Sequence, residues 1–382
     1  MAAGTSAYGD WLTTVALVVL LFRLTGSPLG PALYMLARVA PKVIGPFPGG
    51  ALGDRLGPAR VAATCAGAQA ILTASIVVFA DHRALWPIYV AVAFAQFFGA
   101  AGQPCYTALI PQVTSPARLG RVQGIYSALT SSSILVAPAF GALVLPLTTP
   151  QVLIGVDAAT FVLAGAVMAT LTGFGRGTSN DRGVRGMSAG IPIVLRDPAL
   201  RFLAAAYVSN AAAVTALQAV LVVAAAQRFG HDTAVGWLYA AVGAGSLIGT
   251  LPVIRKTPER VGTAPIVAAT VLELVPLALF AFATTLPLAV ALLFLSGIGA
   301  ASYQTRGVIG LQQRVPRELV GRSMAVIRSA QYVGMLLGAI AAVCMVGPLG
   351  WEPTVLIVCA VGAAVLFVAA VSESRRPAPS LR

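Results

Sequence analysis

The sequence predicts an all-α membrane protein of twelve transmembrane helices, arranged as two six-helix bundles. Three observations carry this. Of the 382 residues, 58% are hydrophobic and only 10% are charged, against roughly a quarter charged in soluble domains. Apolar runs long enough for a hydrocarbon core, which needs about 20 residues per crossing, recur along the whole chain. They fall six and six on either side of one hydrophilic stretch, and the second set repeats the punctuation of the first.

In order, the first six spans are predicted at 4–24, 29–51, 61–80, 85–111, 122–146 and 151–172, and the second six at 200–227, 234–254, 263–282, 287–312, 323–346 and 352–371. At about 30 residues per span and loop, twelve crossings use nearly all of the length, so the loops are short and no soluble domain fits. The domains expected are a bundle over 1–172, a cytoplasmic linker over 173–199, a bundle over 200–371 and a cytoplasmic tail over 372–382. The linker run from Gly175 to Gly186 reads as flexible, and Pro192 to Arg196 as a short interfacial helix. The halves echo each other in two places. Ile44-Gly45, Pro48, Asp54-Arg55 and Gly57 are matched in order by Ile248-Gly249, Pro252, Glu259-Arg260 and Gly262. Gln112 and Gly120-Arg121 are matched by Gln313 and Gly321-Arg322 at an offset of 201. A fixed internal offset is the mark of a duplicated unit.

The formal charge is +13, but its distribution matters more than its size. Eighteen Lys and Arg fall in the loops assigned to one side, from Arg55 to Arg382, while the other side has Arg23, Arg83 and Arg228. The positive-inside rule then places both termini in the cytoplasm. No basic stripe interleaved with aromatics lies on a solvated element, which excludes a nucleic-acid partner. Cys65, Cys105, Cys344 and Cys359 all sit in apolar spans, as packing residues rather than a disulfide frame or metal site. His82 and His231 lie in short outward loops, and no cofactor or metal is expected. No cleavable signal peptide is read at the start of the chain. A primary pump is disfavoured because the chain contains no phosphate-binding Gly-x4-Gly-Lys-Ser/Thr loop.

The charged segment between the second and third spans, Gly50-Ala51-Leu52-Gly53-Asp54-Arg55-Leu56-Gly57-Pro58-Ala59-Arg60, resembles the corresponding loop of the major facilitator superfamily. It keeps Gly50, Leu52, Asp54, Arg55 and Gly57 of that pattern. Pro58 and Ala59 replace its basic pair, with Arg60 nearby. Glycines 50, 53 and 57 are expected to keep the turn tight. In the fifth span, Gly124, Ser133, Ala137, Pro138, Gly141 and Ala142 resemble the superfamily's antiporter pattern, small residue for small residue. A proline among small side chains gives a bent, closely packed helix. The resemblance implies a gating or conformational role for Gly50, Asp54, Arg55, Gly57, Arg60, Pro138 and Gly141, and for the second-half counterparts Glu259 and Arg260. Gly9-Asp10-Trp11-Leu12, Leu36-Ala37-Arg38 with Pro41, and Asp157-Ala158-Ala159-Thr160-Phe161 are similar to the drug/proton antiporter branch that includes macrolide efflux proteins and enterobactin-type exporters. Two departures stand out: Ala95 occupies the place of that group's fourth-span arginine, and only nine residues precede Asp10.

Charges inside the spans are candidate functional groups, because each costs about 2.5–3.5 kcal/mol at mid-bilayer. They are Asp10, Arg38, Lys42, Asp157, Glu273 and, nearer the cytoplasm, Arg306 and Arg328. Counted from Ser27 at about 1.5 Å per residue, Asp10 lies roughly 25 Å deep, Lys42 roughly 20 Å and Arg38 roughly 15 Å. Asp10 is the expected proton-coupling carboxylate, with Lys42 or Arg38 as its partner. Glu273 is the second candidate. Asp157 and Glu273 lie in the sixth and ninth spans, which the resemblance places outside the cavity.

The first, fourth, seventh and tenth spans are expected to line the cavity. Their polar stripes at helical spacing are Asp10, Thr13 and Thr14; Gln96 and Gln103; Tyr207, Asn210 and Gln218; and Ser296 and Tyr303. A wall of Ala, Leu and Phe with a few amides and hydroxyls suits a bulky amphipathic ligand. The resemblance implies two bundles working around a site near the bilayer midplane. It points to a monomeric, proton-coupled exporter of a hydrophobic or amphipathic small molecule in a bacterial cytoplasmic membrane. A siderophore or lipid transporter, or an importer, is the alternative on the same fold. A non-transporting sensor or assembly factor would need neither the stripes nor the bent span.

Overall fold

A computed structural model describes residues 2–114, 144–172, 191–230, 234–255 and 261–374, with positions 122, 129, 133, 136, 137, 140 and 141 between the first two stretches. The described residues form helices joined by tight turns. α1 is Ala2–Thr25, α2 Leu29–Ile44, α3 Pro46–Leu56, α4 Pro58–Asp81, α5 Leu85–Val113 and α6 Pro150–Thr170. α7 is Ile191–Arg196, α8 Pro198–Phe229, α9 Val235–Arg255, α10 Thr263–Leu279, α11 Leu286–Arg314, α12 Arg317–Leu349 and α13 Trp351–Ser374. Among the described residues nine helices are long and apolar enough to cross a membrane, and Val235–Leu251 is a shorter apolar one. The second predicted span is α2 and α3, which meet at Gly45 between Pro41 and Pro46. The predicted fifth span, with Gly124, Pro138 and Ala142, lies mostly outside the described residues.

Large apolar side chains are exposed on the outer faces, as in the Trp86, Val90 and Phe94 stripe of α5 and in Phe367 and Val368 of α13. In water this would be a liability; in lipid it is the solvated surface, and the helices satisfy their own backbones.

The turns explain several sequence features. α3 continues through Gly50 and Gly53, and only Gly57, with φ of 92°, makes the reversal before Pro58 opens α4. The expectation that three glycines shape that turn is therefore corrected: a helix with both flanking prolines at first-turn positions needs just one left-handed residue. Gly53 instead makes room for Cys105, whose Sγ would sit 2.8 Å from an added Cβ. The predicted interfacial helix is α7. It ends at Asp197, whose Oδ1 accepts from the Ala199 amide at 2.9 Å and caps α8.

Two compact units result: residues 1–183 with 219–243, and residues 184–218 with 244–382. Each is knitted by the same joint. In the first, Gly45 and Gly49 of α2 and α3 lie on the backbone of α5 at Phe97 and Ala101. In the second, Gly245 and Gly249 of α9 lie on α11 at Phe294 and Ile298. A side-chain donor bonds the carbonyl of the second glycine in both, Cys105 Sγ to Gly49 at 3.5 Å and Ser302 Oγ to Gly249 at 2.9 Å. The second unit is further closed by Gly334 and Gly338 of α12 on α8 at Val208 and Ala212. Small residues let helix backbones touch where lipid offers no hydrophobic drive for association.

Candidate functional site

In the first unit, residues 9–14 of α1 are tied to four other helices, α2, α5, α6 and α9. Gly9 faces α6, where an added Cβ would collide with Asp157 Oδ1. Asp10, half-buried, accepts from Gln96 Nε2 of α5 at 3.5 Å. Trp11 lies under the Arg38 guanidinium of α2, 4.9 Å from Cζ to the ring centroid, and meets Tyr239 edge-on at 6.3 Å. Thr13 donates to Asp157 Oδ2 at 2.7 Å. Thr14 donates to the Asp10 carbonyl at 2.6 Å and accepts from Tyr34 of α2 at 3.3 Å.

Asp10 lies within electrostatic reach of Asp157 on α6 and of Lys42 on α2, and Lys42 also feels Arg38. Arg38 is 5% exposed and its Nε has no hydrogen-bond partner. Its stabilisation is the indole face, a contact that gains strength when desolvated. Asp157 is 1% exposed and accepts from Thr13 and, at 3.3 Å, from Thr160 of its own helix. The segments Gly9–Leu12, Leu36–Arg38 and Asp157–Phe161, far apart in sequence, thus meet in one cluster.

The spacing argument put Thr13 and Thr14 on a cavity stripe. Their hydroxyls are engaged with Asp157 and with the backbone of α1. Gln96 points to Asp10, and Gln103 is exposed two turns along. What the sequence reading missed is Gly9, Trp11 and Tyr34 as members of the site. A glycine next to an intramembrane aspartate was the available signal, since glycine inside a span marks a close approach.

The second unit holds a different cluster. Tyr207 and Tyr303 pack edge-to-face at 5.4 Å, and the Tyr207 hydroxyl donates to the Gln304 carbonyl at 3.4 Å. Asn210, Ser296 and Tyr303 are buried, and Gln218 is half-buried. Glu273 of α10 is 1% exposed and lies where Gly299 of α11 meets its backbone. Its Oε2 has no hydrogen-bond partner, nor has the Ser209 hydroxyl, while Asn210 lies beside the Tyr303 hydroxyl.

Of the predicted gating residues, Asp54, Arg55 and Arg60 are exposed around Gly57, and Gly50 has open space beside it. A Cβ added at Gly141 would lie 3.6 Å from Leu12 and 3.8 Å from Val15 of α1. Pro138, Glu259 and Arg260 lie outside the described residues. Among those described, no group of three His, Cys, Asp or Glu could hold a metal.

The family model of the Major Facilitator Superfamily matches residues 1–272 and 203–382. The multidrug efflux pump Tap of Mycolicibacterium fortuitum is 26% identical over 361 residues, covering 91% of this chain and 87% of its own. Tap of Mycobacterium tuberculosis is 25% identical over 359 residues, covering 90% and 84%. Among solved structures, a bacterial homologue of the human lysosomal transporter Spinster superposes with a TM-score of 0.73 at 13% identity, covering 99% and 98%. The nucleoside transporter NupG gives 0.67 at 13% identity, covering 98% and 99%. At such identities the structural likeness speaks for the fold alone.

Proposed function

This chain belongs to the major facilitator superfamily, and we propose that it is a proton-coupled exporter of hydrophobic or amphipathic small molecules, with Asp10 as the coupling carboxylate. It is a multi-pass membrane protein and a secondary transporter, not an enzyme. The direction of transport, the proton, the monomeric state, the bacterial cytoplasmic membrane and the cytoplasmic placement of both termini belong to the proposal. The name of the Tap relatives supports efflux.

The observation that carries the reading is the setting of Asp10. It is an intramembrane carboxylate, half-buried, held by the neutral amide of Gln96. The neighbouring Arg38 is stacked on Trp11. A carboxylate whose hydrogen-bond partner is a neutral amide can take up and release a proton without breaking a salt bridge. Asp157 differs, being sealed and occupied by two hydroxyls.

The test uses purified protein in vesicles with ethidium as probe. An imposed pH gradient drives accumulation against the dye gradient if the reading holds, and collapsing the gradient with a protonophore stops it. Accumulation unaffected by the protonophore contradicts proton coupling. Equilibration without accumulation contradicts active export.

A further inference from the structure

We propose that Asp157 is the positioning residue for Asp10: through Gly9 and Thr13 it clamps to α6 the turn of α1 that carries the coupling carboxylate. This rests on the reading of Asp10 given above. Gly9 and Thr13 are four apart and therefore share one face of the helix. Between them on that face sits the Asp157 carboxylate, with Oδ1 in the space a Cβ of residue 9 would fill and Oδ2 bonded by Thr13 at 2.7 Å. Thr160 adds a second donor to Oδ1 at 3.3 Å and would lie 2.8 Å from the same Cβ.

The clamp brackets Asp10 without touching it. Held at residues 9 and 13, the turn points residue 10 toward α5 and Gln96, and residues 11 and 14 toward α2, where Arg38 and Tyr34 meet them. A carboxyl buried to 1% is costly in a membrane, and packing alone would be served by a leucine. A short acceptor with two oxygens does what a leucine cannot: it bonds Thr13 while lying flat against a glycine. Among the described residues, the titratable groups that feel Asp10 are Asp157 of α6 and Tyr34 and Lys42 of α2, with Arg38 of α2 and Tyr239 of α9 next to these. A rotation of α1 would change the distance from Asp10 to all of them together.

The experiment measures ethidium accumulation in vesicles over a series of pH values for the wild type, Thr13→Val, Thr13→Ser, Asp157→Asn and Asp10→Asn. Ethidium binding and monodispersity are followed in parallel. Thr13→Val is expected to displace the midpoint of the pH profile and to lower the coupled rate by up to about a hundredfold, as a small misplacement of a reacting group can, whereas Asp157→Asn, whose amide oxygen still accepts from Thr13, should retain most of the coupled rate. Binding should persist, and Thr13→Ser, which keeps the donor, should restore the profile. A purely structural role would reduce folded protein and leave the midpoint of the remainder in place. If Asp157→Asn does not fold, Thr13→Val decides. Wild-type midpoints in Thr13→Val, with Asp10→Asn inactive, overturn the clamp alone; full accumulation by Asp10→Asn overturns the reading beneath it as well.

Discussion

The two repeats share a joint and differ in what they enclose. Gly45 and Gly49 in the first unit and Gly245 and Gly249 in the second press against a neighbouring helix backbone, each second glycine bonded through its carbonyl by a Cys or Ser. Beside the first joint lies a wired cluster, in which Asp10, Asp157 and Trp11 each have a named side-chain partner. Beside the second lies Glu273 with an unpartnered oxygen. Close helix approach admits few solutions, so both halves keep the glycines. The polar contents face no such limit and differ: hydroxyls and an amide engage the carboxylates of the first unit, while Oε2 of the buried Glu273 in the second has no hydrogen-bond partner.

Substitution at the joints is expected to have the largest effect. Gly49→Leu and Gly249→Leu place side chains where backbone already is, and overpacking of this kind costs about 1–3 kcal/mol or more. Both should lose monodisperse protein in size-exclusion chromatography. Gly50→Leu, with nothing within 4 Å of its Cβ position, should be tolerated. Tolerance at residue 249 but not at residue 49 would break the equivalence of the two joints.

Removal of the carboxylates sharpens the contrast. Asp157→Leu strands the hydroxyl of Thr13 and overfills the space beside Gly9, while Thr160 keeps its 2.8 Å bond to the backbone carbonyl of residue 157. It should lower thermal stability by about 1–3 kcal/mol, the cost of orphaned buried polar groups. Glu273→Leu removes an oxygen that has no partner and should leave stability equal or higher, since apolar replacement of a poorly compensated buried charge is often neutral or favourable. A thermal unfolding series in one detergent separates them, and equal losses would show that the second cluster is as well connected as the first.

A smaller effect is expected at Arg38. Arg38→Lys keeps the charge but replaces a planar group stacked on Trp11 by a point charge. The loss should be about 0.5–2 kcal/mol, the range of a cation–π contact. It should be absent in a Trp11→Leu background, which a double-mutant cycle would read.

Much of this was legible in the sequence because membranes impose length and polarity on each element. Most of the described helix limits, the short α7 and the repeat at Gly249 follow from hydropathy and punctuation, but the second span, read as one helix over 29–51, breaks at Gly45 into α2 and an α3 that runs on to Leu56. The turn at Gly57 was placed correctly, but its neighbours were not: composition alone cannot tell whether a glycine serves a turn or a helix contact, and Gly53 serves a contact with Cys105. The ionisable residues of the site could be named, because charge inside a span is rare. Their partners could not. Depth along the helix favoured Lys42 beside Asp10, whereas the rotation of α2 brings Arg38 onto Trp11 and the rotation of α5 brings Gln96 to Asp10. Azimuth between helices depends on packing far along the chain, which no local pattern encodes.

The most direct test of the account compares Asp10→Asn with Glu273→Gln in vesicles under an imposed pH gradient, with substrate binding measured in the same preparations. Each change removes one titratable group at nearly constant volume. Asp10→Asn should bind ethidium and fail to accumulate it, while Glu273→Gln should accumulate it close to the wild-type level. Accumulation by Asp10→Asn together with failure of Glu273→Gln would place the coupling site in the second unit and contradict the account.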